Sequence, residues 1–137
     1  VGSYLDYRFA RATDAVFVKI TNNNYSPSGK VVLQNDNIID LVHGSSSSAN
    51  RGDTVYLLGG KTNSEGIILY KNATISLADP ALNGKQYVLI NQFIANYLGG
   101  AGNSGGAVVK FDGNDAEIIG IHNSQAPPPM HQSCLVT

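Results

Sequence analysis

Apolar residues along this chain fall into short runs. "AVFVKI" (15–20), "KVVLQ" (30–34), "NIIDLV" (37–42), "TVYLLG" (54–59), "GIILYKNATISL" (66–77), "QYVLINQFI" (86–94), "GAVVKF" (106–111) and "AEIIGIH" (116–122) are rich in Val, Ile and Tyr. Their β-branched and aromatic side chains suit a pleated, half-buried surface. Between the runs stand turn formers: Asn22-Asn23-Asn24, Pro27-Ser28-Gly29, Asn50-Arg51-Gly52-Asp53, Asn83-Gly84 and Asp112-Gly113-Asn114. Runs so closely spaced predict an all-β chain, a barrel or a sandwich. One stretch has a helical rival, 91–98, where Phe93, Ile94, Tyr97 and Leu98 would share a helix face. The Ser45–Ser48 run reads as a surface loop and "APPPM" (126–130) as a stiff exposed connection.

Composition narrows the class. With 137 residues there is material for one sizeable core but not for two ordinary domains. Only 14% of residues are charged, against roughly 25% in soluble domains. Polarity comes instead from Asn, Ser, Thr and Gly. A net charge of −1 speaks against non-specific nucleic-acid binding, which needs clustered cations. No run approaches the ~18 apolar residues of a membrane span, and Val1 does not open a signal peptide. The expectation is a secreted, extracellular chain with no membrane partner, its export signal removed or never included. The triplets Asn24-Tyr25-Ser26 and Asn72-Ala73-Thr74 fit secretion, although Pro27 weakens the first. Cys134 is the only cysteine, so it forms no internal disulfide; it is either a free thiol or bridged to another segment. Three scattered histidines and one cysteine show no ligand spacing, so no metal or cofactor is expected.

The densest chemical signal is "GGAGNSGGA" (99–107), followed closely by "AEIIGIH". Two readings are open. In one, the glycines make a tight turn into a strand and Ser104 is incidental. In the other, Ser104 is a nucleophile. Its hydroxyl must stand clear of the backbone while nearby N–H groups converge to hold an oxyanion, and flanking side chains would block the substrate carbonyl. Gly102, Gly105 and Gly106 leave that clearance.

Three segments, in order along the chain, resemble the chymotrypsin-like serine proteases. Around Ser104 the sequence matches G-[DN]-S-G-[GS]-x-[VL] followed by "IIGI"; the Asn before the serine and the His of "IIGIH" resemble the secreted glutamyl-specific endopeptidases, and "GNSGGA" also resembles the HtrA-type proteases. Residues 45–77 look like the opening of the second barrel in streptogrisin-type enzymes. "ATDAVFVKI" (12–20) resembles the strand that carries the triad aspartate, and Asp14 precedes Ser104 by 90 residues.

The resemblance implies a double β-barrel, present as the end of the first barrel plus most of the second. Late strands of the first barrel would occupy 1–36, an inter-barrel link 37–53 and the second barrel 54–137. Ser104 would be the nucleophile, with an oxyanion hole from the N–H groups of Gly102 and Ser104. Asp14 would orient a general-base histidine. Asn123 stands where the family has a serine that bonds the aspartate. Asn123, Ser124 and Gln125 would pair with a peptide or protein substrate as an added strand. His122 would bind the carboxylate of an acidic residue before the cleaved bond. Against that last role, glutamate-specific relatives place Ser or Thr where this chain has Gly99.

Two further departures matter. The family's histidine precedes its aspartate, whereas His43, His122 and His131 all follow Asp14. The base is therefore expected from a second chain or from an N-terminal segment outside this sequence, with Cys134 a candidate bridge. Asn103 replaces the aspartate whose salt bridge sets the oxyanion loop in trypsin-like enzymes, and an amide cannot carry that charge. The rival expectations are a non-catalytic protease homologue acting as a secreted binding protein and, more remotely, a carbohydrate-binding β-domain.

Overall fold

A computed structural model describes residues 2–10, 13–33, 35–59, 63–79, 84–125 and 134–136. The chain is all-β. Its described strands are β1 (Gly2–Ala10), β2 (Thr13–Ile20), β3 (Lys30–Val32), β4 (Ile38–His43), β5 (Thr54–Leu58), β6 (Ser64–Asp79), β7 (Lys85–Ala95), β8 (Ala107–Asp112), β9 (Asp115–Gln125) and β10 (Cys134–Val136), with a 3-10 turn at Ser46–Ser48. The stretch with helical spacing is a strand: residues 91–95 belong to β7. Among the described residues no helix is long and apolar enough to cross a membrane.

Strands β1 and β2 form a two-stranded antiparallel sheet with Phe9 opposite Asp14. The other strands form one sheet in the order β10-β7-β6-β5-β8-β9-β4-β3, and β10 also pairs with β9. That extra pairing closes strands β5 to β10 into a barrel, which removes the exposed edges an open sheet would present. One edge of β9 pairs with β8, and the other serves two neighbours in succession. Its first residues, Asp115 to Ile118, run parallel to β4, whereas His122 and Gln125 are paired with β10.

Burial explains why the apolar runs are continuous and do not alternate. Val55, Leu57, Ile68, Phe93, Tyr97, Val108, Ile119 and Val136 make the principal core cluster. A second cluster gathers Leu58, Val109 and Ala116, with Val31, Leu33, Ile39, Leu41, Tyr56 and Ile118 packed against it. Successive residues of β5, Leu57 and Leu58, thus enter different clusters. The same holds for Val108 and Val109 in β8. A strand covered on both faces has little use for polar positions. The β3–β4 hairpin, which straddles residue 36, supplies the outer cover.

Beyond β7 the chain is stapled to β6. Asn96 accepts the Ile67 N–H through its side chain at 2.7 Å and donates its own N–H to the Ile67 carbonyl at 3.1 Å. The approach requires a glycine: a Cβ on Gly66 would lie 2.3 Å from the Tyr97 nitrogen. This contact lets Tyr97 enter the core fully buried.

Candidate active site

The Ser104 loop joins β7 to β8, and its shape is set by backbone geometry. Gly102 (φ +93°) and Gly105 (φ +84°) occupy the left-handed region that L side chains rarely adopt. The turn closes with Asn103 N–H donating to Gly100 C=O at 3.0 Å and Gly106 N–H to Asn103 C=O at 2.9 Å. It is then fastened to β9, where Gly105 N–H donates to His122 C=O and His122 N–H to Gly106 C=O, both at 2.8 Å. Ser104 remains exposed, and its Oγ donates to the Asn123 carbonyl at 3.1 Å. A Cβ built on Gly102 or Gly105 meets nothing within 4 Å. Space around the serine is therefore open on both sides.

Asn103 differs from its exposed neighbours in being 4% exposed. Its Nδ2 donates to the Gly59 carbonyl at 3.0 Å, and its Oδ1 accepts the Gly100 N–H at 3.1 Å. One neutral side chain thus ties the loop to the end of β5.

His122 has its backbone beside the serine loop and its ring in the core. It is 2% exposed, and its Nδ1 lies 3.0 Å from the Tyr97 hydroxyl. The two rings meet edge to face at 5.7 Å between centroids. Burial lowers the imidazole pKa below its ordinary 6.5, since leaving water penalises the cation. Further along β9, Gln125 Nε2 donates to the Gly99 carbonyl at 3.0 Å, and the buried Ser124 Oγ finds no partner among the described residues.

The loop and strand β9 therefore bring Gly102, Ser104, His122, Asn123, Ser124 and Gln125 into one neighbourhood. Asp14 is placed on β2, in the separate sheet. His43 ends β4, exposed and opposite Ile118. His131 lies outside the described residues. Tyr97 and the side-chain role of Asn103 were not legible in the sequence: Tyr97 sits 25 residues from His122, and no local pattern pairs them. Among the described residues no group of three or more His, Cys, Asp or Glu could hold a metal ion.

No family model matches the chain, and no curated protein matches it. Solved structures do. Thermobifida fusca protease A aligns with a TM-score of 0.72 at 19% identity, over 98% of this chain and 65% of its own. Cellulomonas bogoriensis chymotrypsin aligns at 0.69 and 18%, over 98% and 66%. A glutamic-acid-specific serine protease, described as using a histidine triad in substrate binding, aligns at 0.73 and 24%, over 100% and 66%. The chain spans about two thirds of the length of each of these proteins. Nearly all of it follows their backbone, so the architecture expected from the Ser104, Asp14 and 45–77 segments is the one present: a chymotrypsin-like all-β fold.

Proposed function

We propose that this protein is a secreted serine endopeptidase whose acyl-enzyme forms on Ser104. The observation that carries the reading is the serine loop itself. An exposed hydroxyl stands between two left-handed glycines with open space on either side, and the loop is held to β9 by reciprocal backbone hydrogen bonds. The Ser104 oxygen attacks the scissile carbonyl, and its proton passes to a histidine supplied from outside these 137 residues. Asp14 orients that histidine. The Gly102 and Ser104 N–H groups receive the oxyanion, and the histidine returns its proton to the departing amine. Water then repeats the sequence in the second half-reaction. Asn123, Ser124 and Gln125 pair with the substrate backbone as an added strand.

His122 sets the preference for the residue before the cleaved bond. With Nδ1 engaged by Tyr97, Nε2 is the ring nitrogen left for a substrate side chain, which reaches this 2%-exposed ring only once its cover is displaced. Burial favours the neutral ring, whose Nε2 donates in the tautomer in which Nδ1 accepts the Tyr97 hydroxyl proton. The neighbour of 24% identity is a glutamic-acid-specific protease described as using a histidine triad. In the present chain the group placed against His122 is the phenol of Tyr97. Glutamate and glutamine are therefore both accepted near neutrality, and discrimination for glutamate grows as the pH falls and His122 gains its proton.

The second reading, a binding protein on this scaffold, is favoured by the Ser104 Oγ bond to the Asn123 carbonyl, which is a carbonyl and not a base. Fluorophosphonate labelling and peptide hydrolysis decide between the two. The natural protein is first sized by non-reducing native mass, to find any histidine-bearing chain bridged through Cys134. Labelling that is lost in Ser104→Ala, together with cleavage after Glu and Gln, is the expected result. A protein that is never labelled although its partner segment is present would leave the binding reading.

A further inference from the structure

Strands β6 and β7 do not keep a simple register. Tyr70 pairs with Ile94 and Ala73 with Gln92, which sets Lys71 and Asn72 together against Phe93. One step on, Ile75 pairs with Leu89, which sets Ile90 and Asn91 together against Thr74. Each strand thus carries a bulge, a device that bends the strand and re-aims a side chain. Each bulge holds an asparagine in the left-handed region, Asn72 at φ +55° and Asn91 at φ +59°. Among the described residues other than glycine, only Asp36 shares that conformation. Glycine adopts it with less strain, so what the two asparagines add is their amides. Both amides line one open cleft of about 610 Å³, whose other walls are Ser46, Ser47, Lys71 and Phe93. We infer that this cleft is a second binding site, sharing no residue with the serine loop, for a saccharide that carries an acidic group.

The acidic group answers to Lys71. Its ammonium lies 5.6 Å from the centroid of the Phe93 ring, which is 5% exposed, and donates to the Ala49 carbonyl. Ring and carbonyl hold the charge in place without neutralising it. No carboxylate lines the cleft among the described residues. Lys71 acts on Asp53 through space, and that carboxylate is already held by Lys110 at 2.6 Å. An ammonium has three donors, so it has capacity left for an anionic oxygen.

The sugar answers to the rest of the wall. The Asn72 and Asn91 amides and the Ser46 and Ser47 hydroxyls each combine donor and acceptor, the pairing that sugar hydroxyls require. The cleft is also too large for a bare ion, since volumes of about 300–1,000 Å³ suit organic ligands. An acidic peptide side chain would satisfy Lys71 but would bring no hydroxyls to the other four polar groups. A uronate, a sugar sulfate and a sugar phosphate share the chemistry that fits. Nothing in this site depends on Ser104 being a nucleophile.

Binding is read by amide NMR on the intact natural protein, with glucuronic acid, glucose 6-sulfate and glucose 6-phosphate as probes. Methyl glucoside, inorganic sulfate and N-acetylglutamate serve as controls. At least one acidic sugar is expected to shift the amides of residues 46–47, 71–72 and 91–93 with a Kd of about 1 mM or tighter. It should bind at least about tenfold more tightly than any control, and the tightest of the three probes names the acidic group. Lys71→Gln should abolish the preference over methyl glucoside. Asn72→Gly and Asn91→Gly keep the bulge conformation, so each should hold Tm within about 3 °C of wild type while weakening the acidic sugar at least about fivefold. The absence of shifts with all three acidic sugars overturns the inference. So does a control that binds as tightly, or wild-type affinity in both glycine variants. If Lys71→Gln does not fold, the glycine variants and the controls decide. Intact mass gives a further check: a glycan on Asn72, which opens the triplet Asn72-Ala73-Thr74, would fill the cleft and overturn the inference as well.

Discussion

Replacing Tyr97 by phenylalanine removes one oxygen from the middle of the core and little else. The ring is fully buried, so its apolar packing against His122 and the surrounding strands is retained. What disappears is the hydroxyl 3.0 Å from His122 Nδ1. His122 is 2% exposed and cannot turn to water for compensation. Leaving one buried polar atom without its partner costs about 1–3 kcal/mol, and a value near 2 kcal/mol is expected here because the geometry is good and the site dry. For a chain of this length that is a fall in Tm of roughly 5–8 °C. Urea denaturation gives the free energy, and Tyr97→Ala, which also opens a ring-sized cavity, should lose about 3–5 kcal/mol. Nitrogen NMR of the imidazole adds a second readout, with one tautomer held by the Tyr97 hydroxyl in the wild type and both present in Tyr97→Phe. A Tyr97→Phe protein within about 0.5 kcal/mol of wild type would refute the reasoning, because the hydroxyl would then contribute nothing to the core or to the state of His122.

The same histidine makes stability depend on pH. Its folded pKa is lowered from 6.5 by burial, so on acidification the unfolded chain takes up the proton first. Stability is full above about 6.5 and declines as the pH falls toward the folded value; denaturant midpoints at about pH 7.5 and about pH 5 should show the drop, and His122→Gln should flatten it. Lys110 donates to Asp53 at 2.6 Å and to the Ser48 carbonyl at 3.2 Å, and it is the first cause of the lowered Asp53 pKa. With both side chains partly exposed, Lys110→Met should cost about 0.5–1 kcal/mol by urea denaturation, most of it absent once Asp53 is protonated in acid. Gly66→Ala places a Cβ 2.3 Å from the Tyr97 nitrogen and should cost about 3 kcal/mol, measured by the same method; a neutral result would show that the β6 crossing over Tyr97 is not as close as described.

Much of the architecture could be read from the order of residues because β-structure writes itself locally. Runs such as "TVYLLG" and "AEIIGIH" are apolar on consecutive positions, and clusters such as Asp112-Gly113-Asn114 can only turn. The serine loop was legible for the same reason: positive φ at Gly102 and Gly105 is a property of single residues. The ambiguous stretch was 91–98, whose apolar spacing suits a helix as well as a strand. Pairing of Ile94 with both Tyr70 in β6 and Leu135 in β10 decided it, and pairing with distant strands leaves no mark on a short apolar run.

The amino-acid order by itself determined the strands, the turns, the exposed nucleophile candidate and the absence of an internal disulfide. Only the tertiary structure decided which polar groups share the interior. Closure of the barrel through β10 brings His122 against Tyr97, and the end of β5 brings the Gly59 carbonyl to Asn103. Those partners stand 25 and 44 residues apart. A hydrogen bond between them depends on where two strands cross, and that follows from the packing of the whole core, not from the neighbours of either residue.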